Sequence, residues 1–276
     1  MFQLKLVFKK KSFLISLLAA TFLSVLSFVL SCIKFFGAEL NAIPSAEKVF
    51  IWSNGQDVIS VVLIYLFPVL CVLPFADSYI TEKDSNMLPV LLPRFGTKRF
   101  LFEKLLAVAV SAFTVVAVPL LLNYVLSAVA FPTEVNTYST LSADQSWFFS
   151  TQRINMLLFP KLYIEHPYLT NLSSILLTGL FCALMSAFVC ELSVFFNRSR
   201  VLILALFFII NDLLILSQNL IATEKISCYA PFYYTMLGND ESGKTLWFFL
   251  LIFVVPFALC ALIFPFCVKK IKKCWG

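Results

Sequence analysis

Apolar residues along this chain fall in long unbroken runs, without the alternation of a half-buried strand or the one-sided stripe of a soluble helix. Six runs stand out, near residues 12–35, 58–75, 105–131, 169–196, 201–220 and 246–268. A run of about 20 apolar residues is what an α-helix needs to cross a hydrocarbon core, whereas a membrane β-barrel is built from alternating segments of about ten. The pattern predicts an all-α polytopic membrane protein: one membrane domain over residues 1–276, with six transmembrane helices and short interfacial helices between them.

Composition strengthens this reading. Hydrophobic residues make up 61% of 276 positions and charged residues 13%, too little polar surface to cover a water-soluble globule of this size. Phe occurs 31 times and Gly only 7, which favours helices with bulky outer faces over a tightly packed Gly-rich bundle. Six of the eight Cys (Cys32, Cys71, Cys182, Cys190, Cys260 and Cys267) lie in or beside apolar runs, with Cys228 in a loop and Cys274 near the end, so free thiols are expected.

The net charge of +6 brings nucleic acid to mind, but its distribution argues against it, because the basic residues cluster at the ends of apolar runs. One set of alternate connecting segments holds Lys5, Lys9, Lys10, Lys11, Lys83, Arg94, Lys98, Arg99, Lys104, Arg198, Arg200, Lys269, Lys270, Lys272 and Lys273, which is 15 of the 21 Lys and Arg. The other set holds Lys34, Lys48, Arg153, Lys161, Lys225 and Lys244. By the positive-inside rule both termini are expected in the cytoplasm, with the chain in the inner (cytoplasmic) membrane. Lys9, Lys10 and Lys11 before the first run resemble the start of a secretory signal, but that run exceeds the 7–15 residues of a signal core. Residues 1–11 suit a short amphipathic helix on the inner face, or a disordered basic leader.

The hydrophilic segments differ in character. The outer loop 132–168 carries Trp147, Phe148, Phe149, Tyr163 and Tyr168 and is expected to pack on the outer surface. In the outer loop 221–245, the stretch from Tyr229 through Pro231 to Tyr234 suits an interfacial or re-entrant helix, or an ordinary aromatic belt. Residues 238–245 match the phosphate-loop pattern G-x-x-x-x-G-K-[ST] in letter, with Gly238, Gly243, Lys244 and Thr245. The context opposes it: a transmembrane run follows, Asp240 and Glu241 add negative charge, and the loop falls on the outer side.

The inner segment 77–104 has an acidic start, an apolar middle (Met87, Leu88, Val90, Leu91, Leu92) and a basic end. A solvated loop would leave those apolar residues unexplained; an interfacial docking element over about 81–95 explains them. In this respect the chain resembles the type-2 exporter permeases of the ABC transporter superfamily. Their six-helix subunits carry, between spans two and three, an acidic residue, a small or Gly-containing turn, an apolar pair, an Arg, a basic cluster and a Lys entering the third helix. The matching residues are Glu82, Ser85 and Asn86, Leu91 and Leu92, Arg94, Lys98 and Arg99, and Lys104, with the usual Gly replaced near Ser85 and Asn86. The resemblance implies a coupling helix that docks a separate cytoplasmic ABC ATPase through Glu82, Met87, Leu88, Leu91, Leu92 and Arg94. It also implies a second permease, the same or a related chain, as partner. No cofactor is expected in this chain, ATP–Mg being held by the ATPase; the remaining partners are membrane lipids, with no nucleic acid.

Polar groups inside the runs form a second candidate site. Asn123, Glu191, Asn211 and Asp212 are costly in hydrocarbon and call for partners. Asp212 suits ion coupling, or a structural pairing with Asn123 or another polar group of the bundle, and Glu191 has Arg198 about two turns on. Pro68, Pro74, Pro119, Pro256 and Pro265 are placed to kink spans two, three and six. Enzyme chemistry fares poorly: His166 is the only His, which excludes paired-His catalysts and His-rich metal sites, and no G-x-S-x-G occurs. Three functions follow in order: an ABC exporter permease moving an amphipathic or hydrophobic substrate such as a peptide, antibiotic or lipid-like molecule; a stand-alone ion-coupled carrier or channel using Asp212; and a membrane scaffold.

Overall fold

The computed structural model describes residues 2–39, 43–53, 57–76, 78–133, 159–195, 200–221, 231–237 and 246–275, and every regular element among them is a helix. In chain order these are α1 (Phe2–Lys9), α2 (Lys11–Lys34), α3 (Ala46–Val49), α4 (Val58–Val72), α5 (Ser78–Asp84), α6 (Leu88–Phe95), α7 (Thr97–Ala130), α8 (Pro160–Glu165), α9 (Pro167–Phe195), α10 (Arg200–Ile221), α11 (Pro231–Thr235) and α12 (Leu246–Trp275).

Four helices are long and apolar enough to cross a membrane: α2, α7, α9 and α12. Two of the six expected spans are shorter, Val58–Val72 and the apolar stretch Val201–Leu216 of α10. The protein is membrane-embedded and all-helical. Expected boundaries differ most at α7, which begins at Thr97 rather than near 105, and at α12, which continues to Trp275 rather than stopping near 268. In both, the extra turns carry lysines, where an apolar run ends but a helix need not.

The long helices α7 and α9 form the central pair. Half or more of the apolar window of each is buried, against under a third for α2 and α12. Their approach is close at Gly179, where a Cβ would meet ring carbons of Phe113 at 2.9 Å. Against this pair pack α2 on the α7 side and α12 on the α9 side, with α4 wedged between α2, α7, α9 and α10. An aromatic cluster holds the shorter helices: Trp52, Phe67 of α4, Phe181 of α9 and Phe207 of α10 meet around Phe232 of α11, with ring centroids 5.5–6.5 Å apart. Pro68, Pro119, Pro256 and Pro265 lie inside helices, while Pro74 lies in the turn after α4.

The N-terminal residues form α1 with Val7 fully buried, packed on α7, so the helical alternative for 1–11 is the one adopted. The seven described cysteines form no disulfide, and Cys228 lies outside the described residues.

Candidate functional site

The segment between α4 and α7 is two short helices joined by a sharp turn, α5 and α6. The turn forms because α5 ends in paired C-terminal hydrogen bonds: Met87 N donates to Glu82 O at 3.0 Å and Asn86 N to Lys83 O at 3.1 Å. This arrangement requires a left-handed residue between helix and exit, and Asn86 takes it with φ 53°. Asn, after Gly, adopts this conformation most readily because its short polar side chain bonds locally. Asn86 thus fills the place where the resembling family carries Gly. A second reversal follows at Gly96, whose φ of 73° and ψ of 139° only glycine adopts without strain, and α7 starts at the next residue.

Two anchors fix this segment against the bundle. The first is an ion pair between Lys104 Nζ of α7 and Glu82 Oε2 of α5. Lys104 is fully buried, and its ammonium lies 5.0 Å from the Phe100 ring centroid, 5.9 Å from Phe75 and 6.0 Å from Tyr79. The aromatic faces offset part of the cost of removing the charge from water, and Glu82 neutralises it. Lys10, at the junction of α1 and α2, stacks on the other partner ring, Phe75, at 4.6 Å.

The second anchor is apolar. Leu88 and Leu92, one turn apart on α6, are buried in a cluster with Tyr79, Phe100, Leu101, Val194 of α9, and Cys267, Val268 and Ile271 of α12. This corrects the expectation that Leu88 and Leu92 belong to an outward docking ridge. They hold the helix down from behind, and Leu91 is partly buried beside them. The outward face is Met87, Val90 and Arg94, spaced at i, i+3 and i+7; Met87 and Val90 are 56% and 58% exposed. Around it lie the exposed basic residues Lys98 and Arg99, the latter paired with Glu103 at 3.1 Å. Lys270 of α12 donates to Phe195 O at 3.3 Å, closing the C-terminal end of α9 at this same end of the bundle. Lys10 between α1 and α2, Lys104 of α7 and Lys270 of α12 therefore lie at the same end of the bundle as α6.

The second candidate group does not form one site. Asn123 is committed at the opposite end of α7: its Oδ1 accepts from Ile51 N at 3.1 Å and its Nδ2 donates to Ser24 O at 2.7 Å. The expected pairing of Asp212 with Asn123 is thus replaced by a bond to backbone. Glu191 lies near the C-terminal end of α9 toward α12, where Cys267 Sγ approaches its backbone carbonyl at 3.5 Å. Both its carboxylate oxygens are buried without a hydrogen-bond partner among the described residues; Arg198 is outside them. Asn211 is buried on α10 with both side-chain polar atoms unpartnered among the described residues, and Asp212 Oδ1 is in the same state. The phosphate-loop-like residues 238–245 also lie outside the described residues, as does most of the loop 132–168; its last part forms α8 and the start of α9.

Comparison with family models, curated proteins and solved structures returned no match for the chain.

Sequence reasoning missed a buried segment between α2 and α4. Residues 45–53, which include Glu47, Lys48 and Ser53 and read as a loop, are almost wholly buried, with Phe50, Ile51 and Trp52 fully so. Apart from the single turn of α3 this backbone is irregular, and the polar groups that such a segment leaves free within a membrane bundle need hydrogen-bond partners from the protein. Here Asn171 of α9 donates to Glu47 O at 3.0 Å and accepts from Ser53 Oγ at 2.8 Å, Asn123 serves Ile51, and Ser60 Oγ donates to Ile51 O at 2.7 Å. The short helix α11 completes this closure: Leu237 N donates to Trp52 O at 3.1 Å, Ser174 Oγ bonds Thr235 O, and Phe232 and Tyr234 are buried rather than lying in an interfacial belt. The signal available was the pair of Asn residues within otherwise apolar runs.

Proposed function

We propose that the chain is the membrane-spanning permease subunit of an ATP-driven exporter of the ABC type-2 kind, crossing the membrane six times with both termini cytoplasmic. On this reading α4 and α10 complete the count, with neighbouring residues extending their reach. ATP hydrolysis resides in a separate cytoplasmic ATPase, and a second permease completes the transporter. The substrate is amphipathic or hydrophobic. The observation that carries the reading is the construction of α6, anchored from behind by Leu88 and Leu92, clamped through α5 by the Glu82–Lys104 pair, and bare in front at Met87, Val90 and Arg94. A rigid helix with an exposed apolar face on a basic rim is suited to receive a soluble partner and to transmit its movement to α7.

The test is affinity purification of the tagged chain in mild detergent with an ATPase assay of the recovered complex. Met87→Asp with Val90→Asp should reduce the recovered ATPase by at least about tenfold, since charges at a buried apolar contact cost several kcal/mol. Both side chains are exposed, so membrane insertion should be unchanged. Recovery equal to that of the parent chain would overturn the docking assignment.

One observation favours a second reading. The Asn211 side chain and Asp212 Oδ1 within α10, unpartnered among the described residues, are what an ion-coupled carrier would need. Substrate movement in vesicles without any ATPase, abolished by Asp212→Asn, would select that reading over the first.

A further inference from the structure

The first helix presents two different faces. Gln3 and Val7 are buried toward α7, while Lys5 and Lys9 are exposed, and Leu6 is 38% and Phe8 46% exposed. Phe8 packs edge-on against Phe13 of α2 at 5.0 Å, which fixes the angle between the two helices. Lys11, the first residue of α2, is exposed beside them. These lysines have no acidic neighbour in sequence, since the first Asp or Glu of the chain is Glu39.

Below Lys11 the lipid-facing side of α2 is a continuous apolar stripe. Ile15, Leu18 and Phe22 follow Lys11 at i+4, i+7 and i+11, on one face, and are 61%, 59% and 67% exposed. From Lys11 to Phe22 the stripe is roughly 16 Å long at about 1.5 Å per residue. That is close to one half of a hydrocarbon core about 30 Å thick, the depth of a single leaflet.

We propose that the α1–α2 junction is a binding site for one anionic phospholipid, its headgroup phosphate held by Lys5, Lys9 and Lys11 and an acyl chain lying along Ile15, Leu18 and Phe22. Charge complementarity selects an anionic over a zwitterionic headgroup, and the length of the stripe selects a membrane lipid over a soluble phosphate. The site also touches the docking machinery. Lys10, between the headgroup lysines, stacks on Phe75, and Phe75 flanks the buried Lys104. Occupancy of the junction therefore bears on the aromatic wall that supports α5. This inference stands without the transport reading, because the binding test needs only the isolated chain.

The full-length chain in mild detergent is mixed with equal amounts of phosphatidylglycerol and phosphatidylcholine, and retained lipid is counted by native mass spectrometry. The parent chain should retain phosphatidylglycerol in preference. Lys5→Gln, Lys9→Gln and Lys11→Gln together should lower that preference by about tenfold or more, the surface attraction of a basic residue being on the order of a fivefold effect each. Should the triple variant fail to fold, Lys5→Gln alone should lower the preference several-fold, and raised salt should do the same for the parent chain. Ile15→Ser with Leu18→Ser should reduce retained phosphatidylglycerol, and soluble glycerol phosphate at the same concentration should leave it in place. Equal retention of the two lipids by the parent chain, or an unchanged preference in the lysine variants, would overturn the site. Displacement by glycerol phosphate would overturn its assignment to a lipid.

Discussion

The two ends of the bundle solve the same problem by opposite chemistry. At the end that carries α6, an irregular connection is held by a charge pair and a few leucines, and one face is left bare. At the other end residues 45–53 are swallowed whole and held by neutral amides, Asn123 and Asn171, with hydroxyls from Ser53 and Ser60. The fully buried Lys104 is tolerable because Glu82 neutralises it and aromatic faces surround it. An amide needs no such counter-charge: it can both donate and accept and carries no net charge to desolvate. The lesson is that exposure of one face needs a rigid attachment on the other, whereas complete burial needs every backbone polar group matched.

This contrast can be broken most severely at the ion pair. Lys104→Met leaves the Glu82 carboxylate in a nearly closed site, and a loss on the order of 3–5 kcal/mol is expected. Thermal unfolding in detergent, followed by labelling of the buried thiols Cys71, Cys182 and Cys190, should show a much lower midpoint. Adding Glu82→Gln to the same chain should recover most of it, because the orphaned charge is gone. At the other end, Asn171→Leu removes the partners of Glu47 O and Ser53 Oγ together, and a loss of about 2–3 kcal/mol should appear in the same assay. Failure of the two ends to differ in their rescue, with Asn171→Leu also restored by a single charge removal, would undo the distinction drawn between them.

Smaller effects sharpen it. Gly96→Ala forces a Cβ into a left-handed backbone, costing about 1–2 kcal/mol, although nothing lies within 4 Å of that Cβ. Asn86→Gly should be nearly neutral, and Asn86→Ala should cost about 1 kcal/mol, if the turn depends on conformation rather than on side-chain contacts. The smallest effect is expected at Lys48. Burial pushes its ammonium below the ordinary value of 10.5, with the neighbouring Glu47 carboxylate opposing part of the shift. A lysine lowered in the folded state opposes folding while it is charged, and that penalty is relieved as pH rises from the lowered value toward 10.5. The unfolding midpoint of the parent chain should therefore gain on that of Lys48→Met across this alkaline interval.

Much of the helix layout was legible because bilayer thickness imposes a length on apolar runs, and α2 and α9 begin and end within a few residues of where the runs do. The front of α7 was not, since Lys98, Arg99, Glu103 and Lys104 halt a hydropathy run while the backbone continues helical. What permits this is the pairing of Lys104 with Glu82, a tertiary fact. Glu82 and Lys104 were each marked by resemblance, but nothing in the sequence said that they touch. In α6 the two-sided pattern, Leu88 and Leu92 against Met87, Val90 and Arg94, is present in the letters. Pro89 and Pro93 hide the helix that gives the pattern meaning: Pro89 is harmless in the first turn, and Pro93 removes one backbone donor. Residues 45–53 were the least legible, because Glu47 and Lys48 argue for solvent and the two amides that bond this backbone, Asn123 and Asn171, lie far away in sequence.

The helix α7 carries the clamp of one end and the amide of the other. Lys104 and Asn123 are separated by roughly 28 Å along its axis at about 1.5 Å per residue, nearly the depth of a hydrocarbon core. Gly179 brings α9 against its middle, through Phe113. One helix thus ties the two closures together: the same rod that clamps α5 holds Ile51, with α9 braced against its middle.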